Sequence, residues 1–112
     1  MENLMLPVQL QGWDIGKSDA VDWVPWGSND NARAKVLAAA DGFHLVLVQA
    51  SAGYTGEPHE HAHPEFLYVI DGVIRNQGRT MVTGDAYAAA TGSSHMDFVA
   101  ESDATYLSIF KL

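Results

Sequence analysis

The segment from Gly53 to Glu65 concentrates the residues best suited to chemistry. Three of the five histidines, His59, His61 and His63, fall within five positions, and Glu65 follows two positions later. Alternate residues of a β-strand project to the same side, so we expect His59 and His61 to point together, with Glu65 in the same parity. Paired imidazoles suit a packed core poorly, because each needs a polar partner. Imidazole nitrogens with a carboxylate are a ligand set for transition metals. The spacing therefore predicts a metal site, and the alternative is an exposed polar loop.

The same segment resembles the first motif of the cupins. That motif runs Gly, five residues, His-x-His, three or four residues, Glu, six residues, Gly. It is matched here by Gly53, His59, His61, Glu65 and Gly72.

The second cupin motif runs Gly, five residues, Pro-x-Gly, two residues, His, three residues, Asn. Gly84, Gly92 and His95 match it at the right spacing. Ala90 stands in place of the proline and Val99 in place of the asparagine. These departures affect turn geometry and strand pairing more than metal coordination.

The resemblance implies an all-β fold, a double-stranded β-helix or jelly-roll barrel. It implies a single cupin domain over 1–112, with an irregular N-terminal extension over 1–30 and core motifs over 53–99. It also implies one divalent transition metal (Fe, Ni, Mn, Zn, Co or Cu) held by four residues, and a homodimer. Those four residues are His59, His61, Glu65 and His95.

Several other polar residues are candidates for the surroundings of this site. Pairing His61 with His63 would leave Glu65 too close for the motif, so we expect His63 at the rim of the pocket, where Pro64 turns the chain. His44 is expected to be a satisfied core or pocket histidine. Further pocket candidates, for each of which a core or surface position is the alternative, are Tyr54, Tyr68, Tyr87, Asp97 and Phe98. Asp97 shares parity with His95, so it is expected to orient that imidazole.

Turn-forming clusters of Gly, Asp and Asn separate short apolar segments along the chain, which is typical of a sandwich or barrel. The clearest predicted strands are 43–50, 66–70, 80–83 and 106–110. Both faces of the first are largely apolar, so we expect both to be covered. The stretch 33–39 is compatible with a helix, but Asp41-Gly42 favours a hairpin. Trp23 and Trp26 are expected to seal one end of the core; a ligand pocket or a dimer contact is the alternative.

Composition restricts the class of protein. The 112 residues predict one domain, and 47% hydrophobic residues indicate a globular chain. A formal net charge of −8 opposes binding to nucleic acid and to anionic lipid. The absence of cysteine excludes disulfides, thiolate metal sites and a cysteine nucleophile. No apolar run is long enough to span a bilayer, and residues 1–7 lack the basic start of a signal peptide, so we expect a cytoplasmic protein.

Four protein ligands would leave open positions on a metal that prefers six, which suits a small-molecule substrate. Three functions follow. The first is a metal-dependent dioxygenase acting on a small oxygenated or dicarbonyl compound. The second is a module that senses a small molecule without turnover, since segments 21–26 and 33–37 are loosely similar to the cupin part of anti-sigma regulators. The third is an isomerase for a sugar or keto compound.

The six basic residues bear on the substrate. Arg33 or Lys35 could reach the mouth of the barrel, whereas Arg75 and Arg79 flank a predicted hairpin tip and are expected to be solvated. An anionic substrate would need such a residue in the pocket, so a neutral or weakly polar one is favoured.

Overall fold

The computed structural model describes residues 8–111, so the expectation for the first seven residues lies outside the described part of the chain. The described residues form eleven strands and two 3-10 helices, Val8–Leu10 and Ser18–Ala20. The strands are β1 (Val24–Pro25), β2 (Ala32–Ala40), β3 (Phe43–Ala50), β4 (His59–Glu60), β5 (Glu65–Asp71), β6 (Val73–Asn76), β7 (Arg79–Val82), β8 (Ala86–Ala89), β9 (Ser94–His95), β10 (Phe98–Ala100) and β11 (Ala104–Lys111). The predicted all-β class is confirmed.

Three antiparallel sheets are present within this range. The largest has the order β1-β2-β3-β11-β5-β8, so the last strand of the chain lies between β3 and β5. A three-stranded sheet has the order β10-β6-β7, and β4 pairs with β9 alone. The candidate metal ligands lie on the short β4–β9 pair, directly after β4 and at the first residue of β5.

The stretch around 33–39 is a strand rather than a helix. β2 pairs with β3 from Ala40 opposite Phe43, which leaves Asp41 and Gly42 as a two-residue loop. Both loop residues have positive φ, 53° and 84°, as the twist of such a hairpin requires. The tertiary pairing therefore overrides the helical propensity of the alanines.

The core lies between the inner face of the large sheet and the three-stranded sheet. Val46, Val48, Val69 and Ile74 are its largest fully buried side chains. Burying each stabilises the fold by about 1.5–3 kcal/mol before other costs. The opposite face of β3 is only half-buried. Of the two faces that we expected to be covered, this chain covers only the inner one.

A segment before β1 runs along the free edge of β2. Asp14 Oδ2 accepts a hydrogen bond from the amide of Ala39 at 2.8 Å, and Lys35 Nζ donates to the carbonyl of Ser18 at 2.7 Å. A side chain at Gly16 would overlap the carbonyl oxygen of Leu37. This close approach covers an edge that would otherwise be open to pairing with other strands.

The two tryptophans have different positions. Trp26 packs against the core, with its ring 6.0 Å from that of Phe110, as expected of a residue that seals one end. Trp23 instead lies beneath Arg33 and Lys35, whose charged groups are 4.2 and 4.9 Å from its ring centre. Arg33 and Lys35 therefore do not line the cavity beside the metal-ligand candidates. This differs from the expectation that one of them could reach the mouth of the barrel. Within residues 8–111, no helix is long and apolar enough to cross a membrane.

Candidate metal centre

The structure brings together the four residues of the implied ligand set. His59 lies on β4 directly opposite His95 on β9, His61 follows β4, and Glu65 begins β5. One potential ligand atom from each lies within 4.8 Å of the others, close enough to hold one metal ion. The side chains of His61 and Glu65 are 6% and 14% exposed, whereas that of His59 is 49% exposed. The cluster is therefore buried on one side and open towards solvent at His59.

Hydrogen bonds determine which nitrogen His61 presents to the cluster. The hydroxyl of Ser93 donates to the carbonyl of Ala90 at 2.6 Å, so its oxygen accepts from Nδ1–H of His61 at 3.0 Å. In a neutral imidazole the proton on Nδ1 leaves the lone pair on Nε2. That Nε2 lies 3.1 Å from Oε1 of Glu65. In that neutral form, a nitrogen lone pair and a carboxylate oxygen face each other.

His59 is arranged in the same way. Its Nδ1–H donates to the carbonyl of Glu57 at 2.8 Å, which leaves the Nε2 lone pair 3.9 Å from Oε1 of Glu65. Two lone pairs and one carboxylate oxygen thus converge with no donor between them, which is unfavourable unless a cation lies there. Neutral imidazole and carboxylate are borderline-to-hard donors that suit divalent transition metals. The residues present therefore fit a metal ion.

Tyr87 holds the other oxygen of Glu65. Its hydroxyl donates a short hydrogen bond to Oε2. Burial, together with the negative charge of Glu65, raises the pKa of Tyr87 well above its ordinary value. The hydroxyl therefore remains a donor at neutral pH, and it leaves Oε1 facing the histidines.

His95 has a different hydrogen-bond pattern. Its Nε2 lies 2.6 Å from Oδ1 of Asn76, while its Nδ1 is buried and has no hydrogen-bond partner within residues 8–111. Burial lowers the pKa of His95 despite the opposing effect of Glu65. The neutral form, which is the form that binds metals, is thus favoured.

A cavity of about 220 Å³ opens beside the cluster. His59, Glu65 and His95 form one wall, and its other lining residues are mostly apolar or aromatic: Trp26, Tyr54, Gly56, Leu67, Tyr87, Phe98, Tyr106, Ser108 and Phe110. No Lys or Arg is among these described lining residues, and Glu65 is the only carboxylate. A larger groove of about 610 Å³ lies around Trp23 and Asp71 and includes none of the four ligand candidates, so we place the site in the smaller cavity.

Other predicted site residues lie elsewhere or have other partners. His63 is exposed and does not line the cavity. The ring of His44 stacks on that of Phe110, with 6.2 Å between the ring centres, but its Nδ1 is buried and has no hydrogen-bond partner in the described part of the chain. It is therefore not the satisfied histidine that was expected. Asp97 accepts from Arg75 at 3.2 Å and does not orient His95. Arg75 is accordingly paired, with Glu101 as its second partner, rather than simply solvated.

Among the pocket candidates, Tyr54, Tyr87 and Phe98 line the cavity, whereas Tyr68 is exposed on the outer face of β5. The sequence reasoning missed Asn76 and Ser93, which orient His95 and His61. Both lie in stretches interpreted only as turns, and no local pattern marks them. Three further cavity residues occupy alternate positions on one face of β11: Tyr106, Ser108 and Phe110. This period-two pattern can be seen in the sequence.

Comparisons with known proteins agree with this architecture. A family model described as the ChrR cupin-like domain matches residues 13–111. The pectin degradation protein KdgF of Dickeya dadantii (strain 3937) is 34% identical over 80 residues, which cover 66% of this chain and 73% of that protein.

Among solved structures, KdgF from a Halomonas species has a TM-score of 0.74 at 24% identity, over 88% of this chain and 92% of that one. An acetylacetone dioxygenase from Acinetobacter johnsonii has a TM-score of 0.70 at 13% identity, over 99% of this chain and 74% of that one. These likenesses confirm the predicted jelly-roll fold. Since the family model spans nearly all of the described residues, this chain is a cupin and belongs to the family of ChrR cupin-like domains.

Proposed function

We propose that this protein is a metal-dependent dioxygenase that acts on a small, neutral oxygenated compound, with a dicarbonyl as the preferred class. His59, His61, Glu65 and His95 hold the metal. The observation that carries the proposal is the convergence of lone pairs on one wall of a cavity that has neither a basic side chain nor a second carboxylate. The cavity therefore combines candidate metal ligands with a mostly apolar lining, and Glu65 is the only charged side chain among its described lining residues apart from the histidines.

The lining of the cavity favours a small neutral ligand. Ligand pockets usually enclose about 300–1,000 Å³, so 220 Å³ suits a compound with few atoms. An anionic substrate would favour an arginine or lysine in the pocket. Burial raises the pKa of Tyr54 and of Tyr106, so both hydroxyls remain protonated and can donate to a carbonyl oxygen. A dicarbonyl has two oxygens for the metal and for such donors.

The chain's own residues position and enclose the reaction. The bound metal would supply the Lewis-acid and redox chemistry. Tyr87 fixes the carboxylate of Glu65, and Ser93 fixes the ring of His61. The rings of Trp26, Phe98 and Phe110 give the cavity apolar walls, which favour an organic ligand over water. An isomerase that moves a proton next to a carbonyl needs a protein base. The only carboxylate among the described lining residues, Glu65, already contacts His61 and Tyr87. This arrangement disfavours an isomerase.

Two other functions have specific support. The 34% identity with a pectin degradation protein favours a role in the breakdown of a compound derived from pectin. The match to the ChrR cupin-like domain favours a sensing module that binds a small molecule through the metal.

One experiment separates the three functions. Protein loaded with Fe²⁺ is incubated with acetylacetone, with other dicarbonyls and with the sugars released when pectin is broken down. Oxygen uptake is followed with an electrode, and each compound is quantified with and without oxygen. We expect oxygen uptake that matches dicarbonyl loss and that disappears in Glu65→Ala. Conversion at the same rate without oxygen would contradict the dioxygenase and favour the pectin-type reaction. Tight binding without conversion would favour sensing.

We also propose that the protein is a homodimer through the outer face of the large sheet. Two apolar rows cross β3, β11 and β5 there: Leu45, Ile109 and Phe66, then Leu47, Leu107 and Tyr68. Exposed apolar patches of this kind mark interfaces, and a two-fold pair buries the same face of both copies. Light scattering should give twice the mass of one chain for the wild type, and the mass of a single chain for Phe66→Glu. Met96→Glu is the control, because Met96 is exposed in the loop between β9 and β10, and it should remain dimeric. A monomeric wild type would contradict this.

A further inference from the structure

One buried polar side chain of the cavity has no partner in the protein. Ser108 is 6% exposed and lies within β11, where it lines the cavity beside the metal-ligand candidates. Its hydroxyl forms no hydrogen bond with another residue in the part of the chain that the structure describes. The oxygen is not fully enclosed by protein atoms either, so the hydroxyl opens into the cavity.

The neighbours of Ser108 on the sheet cannot supply a partner. On the inner face it lies between Val46 of β3 and Leu67 of β5, which are 0% and 4% exposed. Both side chains are apolar. A buried hydroxyl without a partner reduces stability, because it has left water without gaining a hydrogen bond. The hydroxyl is therefore suited to a partner that enters from the cavity.

The register of the sheet places Ser108 at a distance from the metal-ligand candidates. Leu67, directly opposite Ser108, lies two residues beyond Glu65 on β5, so all three side chains are on one face. Neighbouring strands are about 4.8 Å apart and alternate residues of a strand about 6.7 Å apart, so the backbones of Ser108 and Glu65 are separated by about 8 Å. A ligand that contacts the metal with one end therefore reaches Ser108 with its other end.

We propose that Ser108 determines the substrate specificity of the cavity, because its hydroxyl binds an oxygen at the end of the ligand that lies away from the metal. This inference rests on the proposed function and narrows its substrate class to compounds that carry a further hydroxyl or carbonyl group beyond the metal-binding oxygens. A serine hydroxyl can both donate and accept, so it accommodates either group. Mostly apolar pockets fix the orientation of a ligand with a few polar groups of this kind.

Two metal-binding compounds that differ by one oxygen test this proposal. Kojic acid and allomaltol share a six-membered ring with adjacent ketone and hydroxyl oxygens, which bind a metal. On the far side of the ring, kojic acid has a hydroxymethyl group where allomaltol has a methyl group. Each compound is titrated into Co²⁺-loaded protein, and the visible absorption of the ion reports binding. We expect kojic acid to bind about 2- to 10-fold more tightly than allomaltol, which is the effect of one neutral hydrogen bond.

Variants show whether Ser108 causes this preference. Ser108→Ala should bind both compounds with the same affinity, close to that of the wild type for allomaltol. Thr105→Val is the matched control and should keep the preference, because it removes a hydroxyl from the same strand at a residue that lines the larger groove instead.

Stability gives a second readout, which distinguishes a ligand-binding role from a structural one. Ser108→Ala should have a urea midpoint equal to or above that of the wild type, since it removes a buried hydroxyl that has no protein partner. A lower midpoint would show that the hydroxyl is bonded within the protein, and this would overturn the proposal.

The outcomes separate this proposal from the proposed function. A wild type that binds both compounds equally, or Ser108→Ala that still prefers kojic acid, would overturn the role of Ser108 and leave the metal centre intact. A wild type that does not bind Co²⁺, or whose Co²⁺ spectrum responds to neither compound, would contradict the proposed site itself, and the role of Ser108 with it.

Discussion

The hydroxyl of Tyr87 should have a large effect on metal affinity, because it holds the oxygen of Glu65 that does not face the histidines. A hydrogen bond to a charged group contributes about 1.5–3 kcal/mol. With 1.4 kcal/mol for each factor of ten, Tyr87→Phe should weaken metal binding by about 10- to 100-fold. The side chain of Glu65 is only 14% exposed, so water can replace the lost donor only in part.

The assay is competition between the protein and a chelator of known affinity for Zn²⁺ or Co²⁺. Tyr68→Phe removes the same atom from a tyrosine of β5, the strand that also carries Glu65, but there the side chain is exposed on the outer face. It should bind metal like the wild type. If Tyr87→Phe also bound as tightly as the wild type, or if both variants lost affinity equally, the hydroxyl would not be orienting Glu65.

Three further predictions concern the site, the pH dependence and the edge of the sheet. Glu65→Ala should remove stoichiometric metal in elemental analysis while far-UV circular dichroism stays that of a β protein; His63→Ala should keep the metal, and the reverse result would contradict the ligand set. Burial raises the pKa of three tyrosines, Tyr54, Tyr87 and Tyr106, above the ordinary value of 10.0. Above about pH 10 the unfolded chain loses protons that the folded protein keeps, so the free energy of unfolding should be constant below that pH and fall above it. Absorbance at 295 nm, which reports tyrosine ionisation, should then rise together with unfolding, and ionisation of these three residues in the folded protein would contradict their burial. Gly16→Ala should reduce stability by about 1–3 kcal/mol because its methyl group meets the carbonyl of Leu37, and an unchanged urea midpoint would contradict that contact.

Strands with a strong local pattern were predictable. The segment 43–50 was predicted with the bounds that the structure has, because an apolar run lies between an Asp-Gly turn and a polar loop. The segment 33–39 was ambiguous, because its alanines favour a helix and its pairing with β3 depends on residues that local propensity does not include. The covering of the β2 edge by Asp14 and Gly16 depends on the same kind of non-local contact.

The residues of the candidate site also fall into those that the sequence could identify and those that it could not. His59, His61 and Glu65 could be grouped from their spacing, because neighbours in the chain share a strand face. His95 could be added only by resemblance to the cupin motif, since it lies thirty or more positions from each of these residues. Asn76, which lies 19 positions before His95, was interpreted as part of a hairpin tip. The hairpin exists, but its position is set by the pairing of β6 with β10, which no local pattern in the sequence shows.

A crystal structure with anomalous data at the absorption edge of the bound metal would show directly whether three imidazoles and one carboxylate hold one divalent ion. We expect one peak, about 2.0–2.2 Å from a nitrogen of each of the three histidines and from an oxygen of Glu65. A peak at His63 or His44 instead, or a metal-loaded crystal with no peak among His59, His61, Glu65 and His95, would contradict it.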